Sequence, residues 1–146
     1  MMKKRITWFI AFLLILGLGA NGQVTKKDLL GVWTINNNDS LYFKAGTIQM
    51  YQDANYRYGL ETCRLIEWKV EKRKFRLLNI FTCSEQGTVS YTSPREKLKL
   101  RNKDGQQILE IKKSGHVMDA FLIMEFKELE VQRYPWEIKV LSMKRI

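Results

Sequence analysis

Apolar and polar residues alternate along most of the chain after residue 22. The alternation is clearest over residues 64–82, where Ile66, Trp68 and Val70 share one parity, and over residues 118–132. A period of two is typical of β-strands that have one buried face and one solvated face. The pattern therefore predicts an all-β protein.

Turn-forming residues separate these runs into about nine or ten short strands, which favours an antiparallel barrel or sandwich. A helical turn is expected at residues 25–30, where Thr25 is placed to cap a single turn. Residues 40–52 predict a hairpin that turns at Ala45-Gly46.

The first 22 residues differ from the rest and have the three parts of a secretory signal peptide. A positive segment (residues 3–5) precedes an apolar run (residues 6–18), and small residues at Ala20 and Gly22 favour a cut after Gly22. The run is shorter than the about 20 residues of a membrane span, so we predict cleavage rather than a retained anchor. Residues 23–146 then form one domain, exported to the periplasm or secreted.

The charge changes once the signal peptide is removed. The chain has 25 Lys and Arg against 15 Asp and Glu, a net charge of +10. Without residues 3–5, 22 cationic side chains remain and the net charge is +7. Because both signs are mixed along the chain, this charge favours an anionic envelope surface or an acidic protein without identifying either. Export argues against nucleic acid as a partner.

Cys63 and Cys83 are the two cysteines of the chain. In an exported protein the pair predicts one disulfide, two free thiols being the alternative. The strands on either side of residues 71–73 form a predicted hairpin whose register places Cys63 beside residues 81–83. A disulfide needs Cα atoms within about 7 Å, and this register satisfies that condition.

Residues 28–35 (Asp-Leu-Leu-Gly-Val-Trp-Thr-Ile) place a helical turn before Gly31-x-Trp33 at the start of the first strand. This segment resembles the opening motif of the lipocalin and wider calycin group. The resemblance implies an antiparallel up-and-down β-barrel with Trp33 closing one end. In that family an Arg near the last strands packs across the Trp, and Arg133 is the candidate here because it continues the parity of the preceding strand. A different small β-barrel or sandwich is the alternative, and the family's two other motifs are not found, which leaves the strand order open.

The inward-facing apolar positions of such a barrel form the predicted ligand site. An eight-stranded barrel can hold one small ligand, and barrel mouths are common binding sites. The same side chains are equally able to fill the interior. The residues predicted to line a site for a small apolar or amphipathic ligand are Met50, Trp68, Phe75, Leu77, Met118, Leu122 and Met124.

A row of cations occupies alternate positions of one predicted strand, on the side opposite Leu98 and Leu100. Neighbours in such a row lie about 7 Å apart, a spacing that suits anionic headgroups. A solvated strand face that resists edge-to-edge aggregation has the same pattern. A second basic cluster at residues 69–76 is interpreted as a soluble hairpin turn. The row consists of Arg95, Lys97, Lys99, Arg101 and Lys103.

Patterns of catalytic residues are weak. The single histidine, His116, follows a Ser114-Gly115 turn and is predicted to lie at the surface. No Cys/His or Asp/His cluster has the spacing of metal ligands, and no phosphate-binding loop or nucleophile elbow is present. We therefore predict no catalytic residue, metal or cofactor, and a carboxylate pair assembled by the fold is the alternative.

These observations favour a lipocalin-like, non-enzymatic protein of the cell envelope that binds a small apolar or amphipathic ligand inside its barrel. The alternative is an envelope interaction or inhibitor module that acts through its basic surface.

Overall fold

A computed structural model of the chain describes residues 22–36, 41–52, 63–84, 87–92, 96–130 and 137–146. Residues 1–21 of the predicted signal peptide, Arg95 and Arg133 lie outside these ranges. The described residues confirm the predicted all-β class. Their elements are β1 (Gly31–Asn36), α1 (Leu41–Lys44), β2 (Thr47–Gln52), β3 (Arg64–Val70), β4 (Phe75–Ser84), β5 (Gly87–Thr92), β6 (Glu96–Lys103), β7 (Gln106–Lys113), β8 (His116–Glu130) and β9 (Glu137–Arg145).

Eight of these strands close into a barrel, in the order β1, β2, β9, β8, β7, β6, β4 and β3, with β3 next to β1. Every neighbouring pair in the ring is antiparallel, which fits the predicted up-and-down arrangement. The order departs from a simple meander at one place, because β1 lies between β2 and β3. β5 pairs with the later part of β4, and β6 meets β4 only through Phe75 and Glu96.

The barrel encloses a continuous aromatic and aliphatic core. Trp68 lies at its centre, with ring centroids 5.4 Å from Phe75 and 5.6 Å from Phe121. Trp33 packs against Phe126 at 6.2 Å. Fully burying each large apolar side chain stabilises the fold by about 1.5–3 kcal/mol, so this cluster is a main source of stability.

The segment before β1 lies at one end of the barrel. Thr25 and Asp28 bond reciprocally: the Thr25 backbone N–H and hydroxyl each donate to the Asp28 carboxylate at 2.7 Å. These bonds, the backbone bond first, lower the pKa of Asp28. The expected helical turn is a series of hydrogen bonds between residues three apart, and it brings the Leu29 carbonyl within 2.8 Å of the Trp33 indole N–H.

The helix α1, between β1 and β2, lies at the other end. Its Tyr42 is buried and accepts a hydrogen bond from the Trp68 indole N–H at 3.2 Å. Burial is the main cause that raises the pKa of Tyr42 well above its usual value. Arg145 holds the helix in place by donating to the carbonyls of Tyr42 and Phe43 at 2.8 and 2.9 Å. The prediction of a hairpin over residues 40–52 is therefore wrong. A helix rather than a strand precedes the bend at Gly46, because the Tyr42 side chain is buried in the core.

The hairpin of β3 and β4 has the predicted turn. Val70 pairs with Phe75, and Arg64 pairs with Phe81. The structure confirms the disulfide between Cys63 and Cys83, whose Cα atoms are 4.9 Å apart. The Thr82 N–H also donates to the Cys63 carbonyl at 2.8 Å, so the open end of the hairpin is joined by a covalent bond and a hydrogen bond.

A basic cleft as the candidate functional site

Four of the seven residues predicted to line a ligand site lie in the core or against it. Met50, Trp68 and Phe75 are buried, and Leu77 is partly buried against them. Trp68 is in direct ring contact with Phe75 and hydrogen-bonded to Tyr42, so these side chains occupy the space that the ligand was expected to fill. The interior is packed by the protein itself at these positions.

The other three predicted lining residues lie on the outer face of β8, and their assignment to the interior is wrong. Met118 and Met124 are 60% and 59% exposed. Each is the extra residue of a β-bulge, since the pairing skips Met118 between Val117 and Asp119 and skips Met124 between Ile123 and Glu125. A bulge re-aims its side chain and shifts the alternation. Leu122 pairs with Ile108 and Lys144, on the face opposite its buried neighbour Phe121.

The residues of the predicted opening motif lie at the start of β1. Gly31 has a φ of +123°, a conformation that side-chain-bearing residues rarely adopt. Trp33 is fully buried at this end of the barrel. Arg133, the predicted partner of Trp33, lies outside the described residues. An arginine does pack on aromatic rings at the other end, where the Arg145 guanidinium lies 5.1 Å from the Phe121 ring centre.

The described members of the basic row, Lys97, Lys99, Arg101 and Lys103, are exposed on the outer face of β6. The row is not a uniform positive surface. Arg101 forms an ion pair with the buried Glu110 of β7 at 2.7 Å, and Lys112 lies 3.4 Å from the other oxygen of that carboxylate. This part of β6 is therefore a solvated face whose positive charge is partly neutralised. Lys97 does not belong to this group of ion pairs.

A cleft of about 350 Å³ opens beside Lys97. It lies between β6, the turn that joins β3 to β4, and the turn before β1. Among the described residues, its lining includes the apolar side chains Val70 and Leu98 and one carboxylate, Glu71. The remaining lining residues are all cationic: Lys26, Lys72, Arg73, Lys74 and Lys97.

The pairing of the strands explains why this cleft exists. β4 begins at Phe75, which pairs with Glu96, so β6 continues beyond the first residue of β4 with β7 on one side and, among the described strands, no partner on the other. The β3–β4 turn occupies that position instead, closed by a hydrogen bond from the Glu71 N–H to the Lys74 carbonyl at 2.9 Å. The cleft lies between this turn and β6.

Lys26 reaches the cleft because the N-terminal segment is bound to β7. The Val24 N–H donates to the Gln107 side-chain oxygen at 2.8 Å, and the Gln107 amide donates to the Val24 carbonyl at 2.7 Å. This two-point attachment, two residues before Lys26, fixes the turn beside β6. Three segments distant in sequence therefore supply the cations of one site.

The electrostatics of the cleft favour an anion. Among the described residues, none of the five lining cations forms an ion pair. Like charges this close repel one another, and a bound anion relieves that repulsion. Lysine and arginine are the usual ligands of phosphate and sulfate groups.

Sequence reasoning missed this site. The run Lys72-Arg73-Lys74 alone favours a soluble turn, which a hairpin turn with three cations usually is. No local signal brings Lys26 or Lys97 to the same place, because both positions depend on long-range pairing. The strongest sequence signal for this site is the excess of cationic residues over carboxylates in the β3–β4 hairpin.

The described residues contain no group of three or more His, Cys, Asp or Glu side chains able to hold a metal ion. His116 is exposed at the start of β8. Within the same part of the chain, no helix is both long enough and apolar enough to cross a membrane.

Comparisons with protein-family models, with curated proteins and with solved structures find no significant match to this chain.

Proposed function

We propose that this protein is an exported, non-enzymatic binding protein that holds an anionic group in the basic cleft. The observation that supports this function is that, among the described lining residues, five cations surround one cleft and one carboxylate, Glu71, opposes them. The ligand class is a compact phosphate or sulfate ester, free or as part of a glycan. Val70 and Leu98 would contact an apolar part of the same ligand.

The packed interior favours this site over a ligand within the barrel. Tyr42, Trp68 and Phe121 fill the end of the barrel beneath α1, each no more than 1% exposed. A ligand would have to displace Tyr42, and burying that ring and its hydrogen bond stabilises the fold by about 2–4 kcal/mol. The lipocalin-like character of the barrel, which the ring of eight antiparallel strands supports, thus supplies a rigid scaffold rather than a cavity.

Binding is measured by calorimetry at low salt on protein purified after export from a host that expresses the full chain. The probes are inorganic pyrophosphate, a sulfated disaccharide and a short polyglutamate peptide, which distinguish phosphate, sulfate and carboxylate partners. We expect the first or second probe to bind, and binding to weaken in 0.5 M salt, where the screening length is about 4 Å. Failure of all three probes to bind contradicts the proposal.

A matched pair of double variants locates the site. Lys72→Gln with Lys74→Gln removes two cations from the cleft, and Lys99→Gln with Lys103→Gln removes the same charge from the β6 row. We expect the cleft variant to weaken binding about tenfold, which corresponds to about 1.4 kcal/mol, and the row variant to weaken it less than about twofold. Equal losses would show that net charge, not the cleft, is responsible.

A further inference from the structure

Several large apolar side chains are exposed at the end of the barrel where α1 lies. Phe43 is 52% exposed, Val117 50%, Met118 60% and Ile146 62%. We call these four residues the apolar rim. Isolated exposed apolar residues are ordinary, but a group at one end of a domain indicates an interaction surface.

The contacts of Arg145 place the rim residues together. Its guanidinium binds the carbonyl of Phe43 at 2.9 Å and the carboxylate of Asp119 at 3.2 Å. Met118 and Val117 directly precede Asp119, and Ile146 directly follows Arg145. The Ile146 N–H donates to the Ala120 carbonyl at 3.0 Å, which fixes that residue beside the start of β8.

Two structural devices turn these side chains outward. In α1, Tyr42 is buried and the carbonyls of Tyr42 and Phe43 are bound by Arg145, so Phe43 is presented to solvent by a fixed backbone. In β8, the bulge between Val117 and Asp119 directs Met118 away from the barrel. The exposure therefore belongs to the ordered fold and is not the result of a loose segment.

The exposed charged residues beside the rim are mainly lysines, and the carboxylates near it are Asp119 and Glu96, the cross-strand partner of Lys113. Lys44 follows Phe43, Lys144 precedes Arg145, and Lys113 pairs with His116 at the start of β8, and all three lysines are exposed. The nearby carboxylate of Asp119 is already bound to Arg145. The exposed side chains of the apolar rim match the acyl boundary of a bilayer, and the surrounding lysines match its anionic headgroups.

We propose that the apolar rim and its three lysines dock this protein on an anionic phospholipid bilayer. Phe43 and Met118 enter the headgroup region while Lys44, Lys113 and Lys144 contact lipid phosphates. The rim shares no residue with the basic cleft, so this inference stands independently of the proposed ligand.

The test is sedimentation of the exported protein with phosphatidylcholine vesicles that contain or lack phosphatidylglycerol. We expect binding only to the anionic vesicles. Phe43→Ser and Met118→Gln should each reduce the partition constant by about fivefold to tenfold, because each removes apolar surface from the docked state. Both residues are exposed, and the circular dichroism of each variant verifies its fold.

Met124→Gln is the matched control, since Met124 is an equally exposed methionine in a second bulge of the same strand, outside the rim. Its vesicle binding should equal that of the parent protein. Equal losses in Met118→Gln and Met124→Gln would overturn the proposal. The proposal would also be overturned if the cleft variant Lys72→Gln with Lys74→Gln abolished vesicle binding while Phe43→Ser left it unchanged. A third contrary result would be binding of an acidic protein through the rim without any binding to vesicles.

Discussion

At the residue scale, Gly31 is a position where adding one methyl group is expected to destabilise the fold. A Cβ added there would lie 2.6 Å from the side-chain nitrogen of Gln52, and its φ of +123° is unfavourable for any side chain. The Gln52 amide also donates to the Leu30 carbonyl, so it is not free to move away. Gly31 thus permits both the turn into β1 and the close approach of β2.

We expect Gly31→Ala to lower the free energy of unfolding by about 1–3 kcal/mol, through backbone strain and the collision with Gln52. Denaturant unfolding of the exported protein measures this change. Gly46→Ala is the control, because a Cβ at Gly46 meets no atom within 4 Å. Similar stability of the two variants would contradict the role assigned to Gly31.

The opening motif shows what residue patterns can and cannot predict. Gly31 and Trp33 are singled out by the resemblance of residues 28–35 to a known opening motif, and the structure places both in the first half of β1. Among the described residues, Arg145 packs on Tyr42 and Phe121, which are far away in sequence, whereas Arg64 packs on Phe81, its partner across the β3–β4 hairpin. Nothing in the local sequence distinguishes Arg145 from the other cations of β9.

At the element scale, the alternation of apolar residues predicts strands well but does not reveal their bulges. The β3–β4 hairpin follows from its turn and its cysteines, which agree with one another. In β8 both faces carry apolar residues, so the parity alone does not show which face is inward. Two bulges then shift the alternation of inward and outward side chains. A prediction from parity alone therefore places Met118 and Met124 in the interior, although both lie outside it.

The attachment of α1 to the barrel depends on Arg145, and we expect Arg145→Met to lower the free energy of unfolding by about 2–4 kcal/mol. The substitution removes charged hydrogen bonds to the carbonyls of Tyr42, Phe43 and Ala45 and leaves Asp119 without its partner. Denaturant unfolding and the near-ultraviolet circular dichroism of the aromatic core report the effect. Lys144→Met, at the exposed neighbouring position, should change stability by less than about 0.5 kcal/mol. Equal stabilities of the two variants would exclude the attachment role.

At the scale of the whole molecule, barrel closure and charge distribution together produce the candidate site. The all-β class and the antiparallel arrangement are predictable from periodicity and turn residues. The cleft is not, because it depends on where β4 begins relative to β6 and on the contact between Val24 and Gln107. Such long-range register is set by packing, which a single sequence does not display.

Export and disulfide formation are testable by one measurement on the whole protein. We expect the intact mass of the exported protein to equal that of residues 23–146 less two hydrogens, because the sequence predicts removal of residues 1–22 and the structure joins Cys63 to Cys83. Reduction should restore the two hydrogens and destabilise the protein by about 3 kcal/mol. A mass that retains residues 1–22 would refute the predicted cleavage, and free thiols in the exported protein would refute the disulfide.

The position of β1 between β2 and β3 also determines the order in which the chain can fold. Met50 of β2 faces Leu141 of β9, so the ring closes through residues that are synthesised far apart in time. The hairpins from β3 onward pair residues close in sequence and are expected to form earlier, with closure as the slow step. Until β9 has been synthesised and pairs with β2, one edge of β2 has no partner. That unpaired edge is where the growing chain is exposed to aggregation.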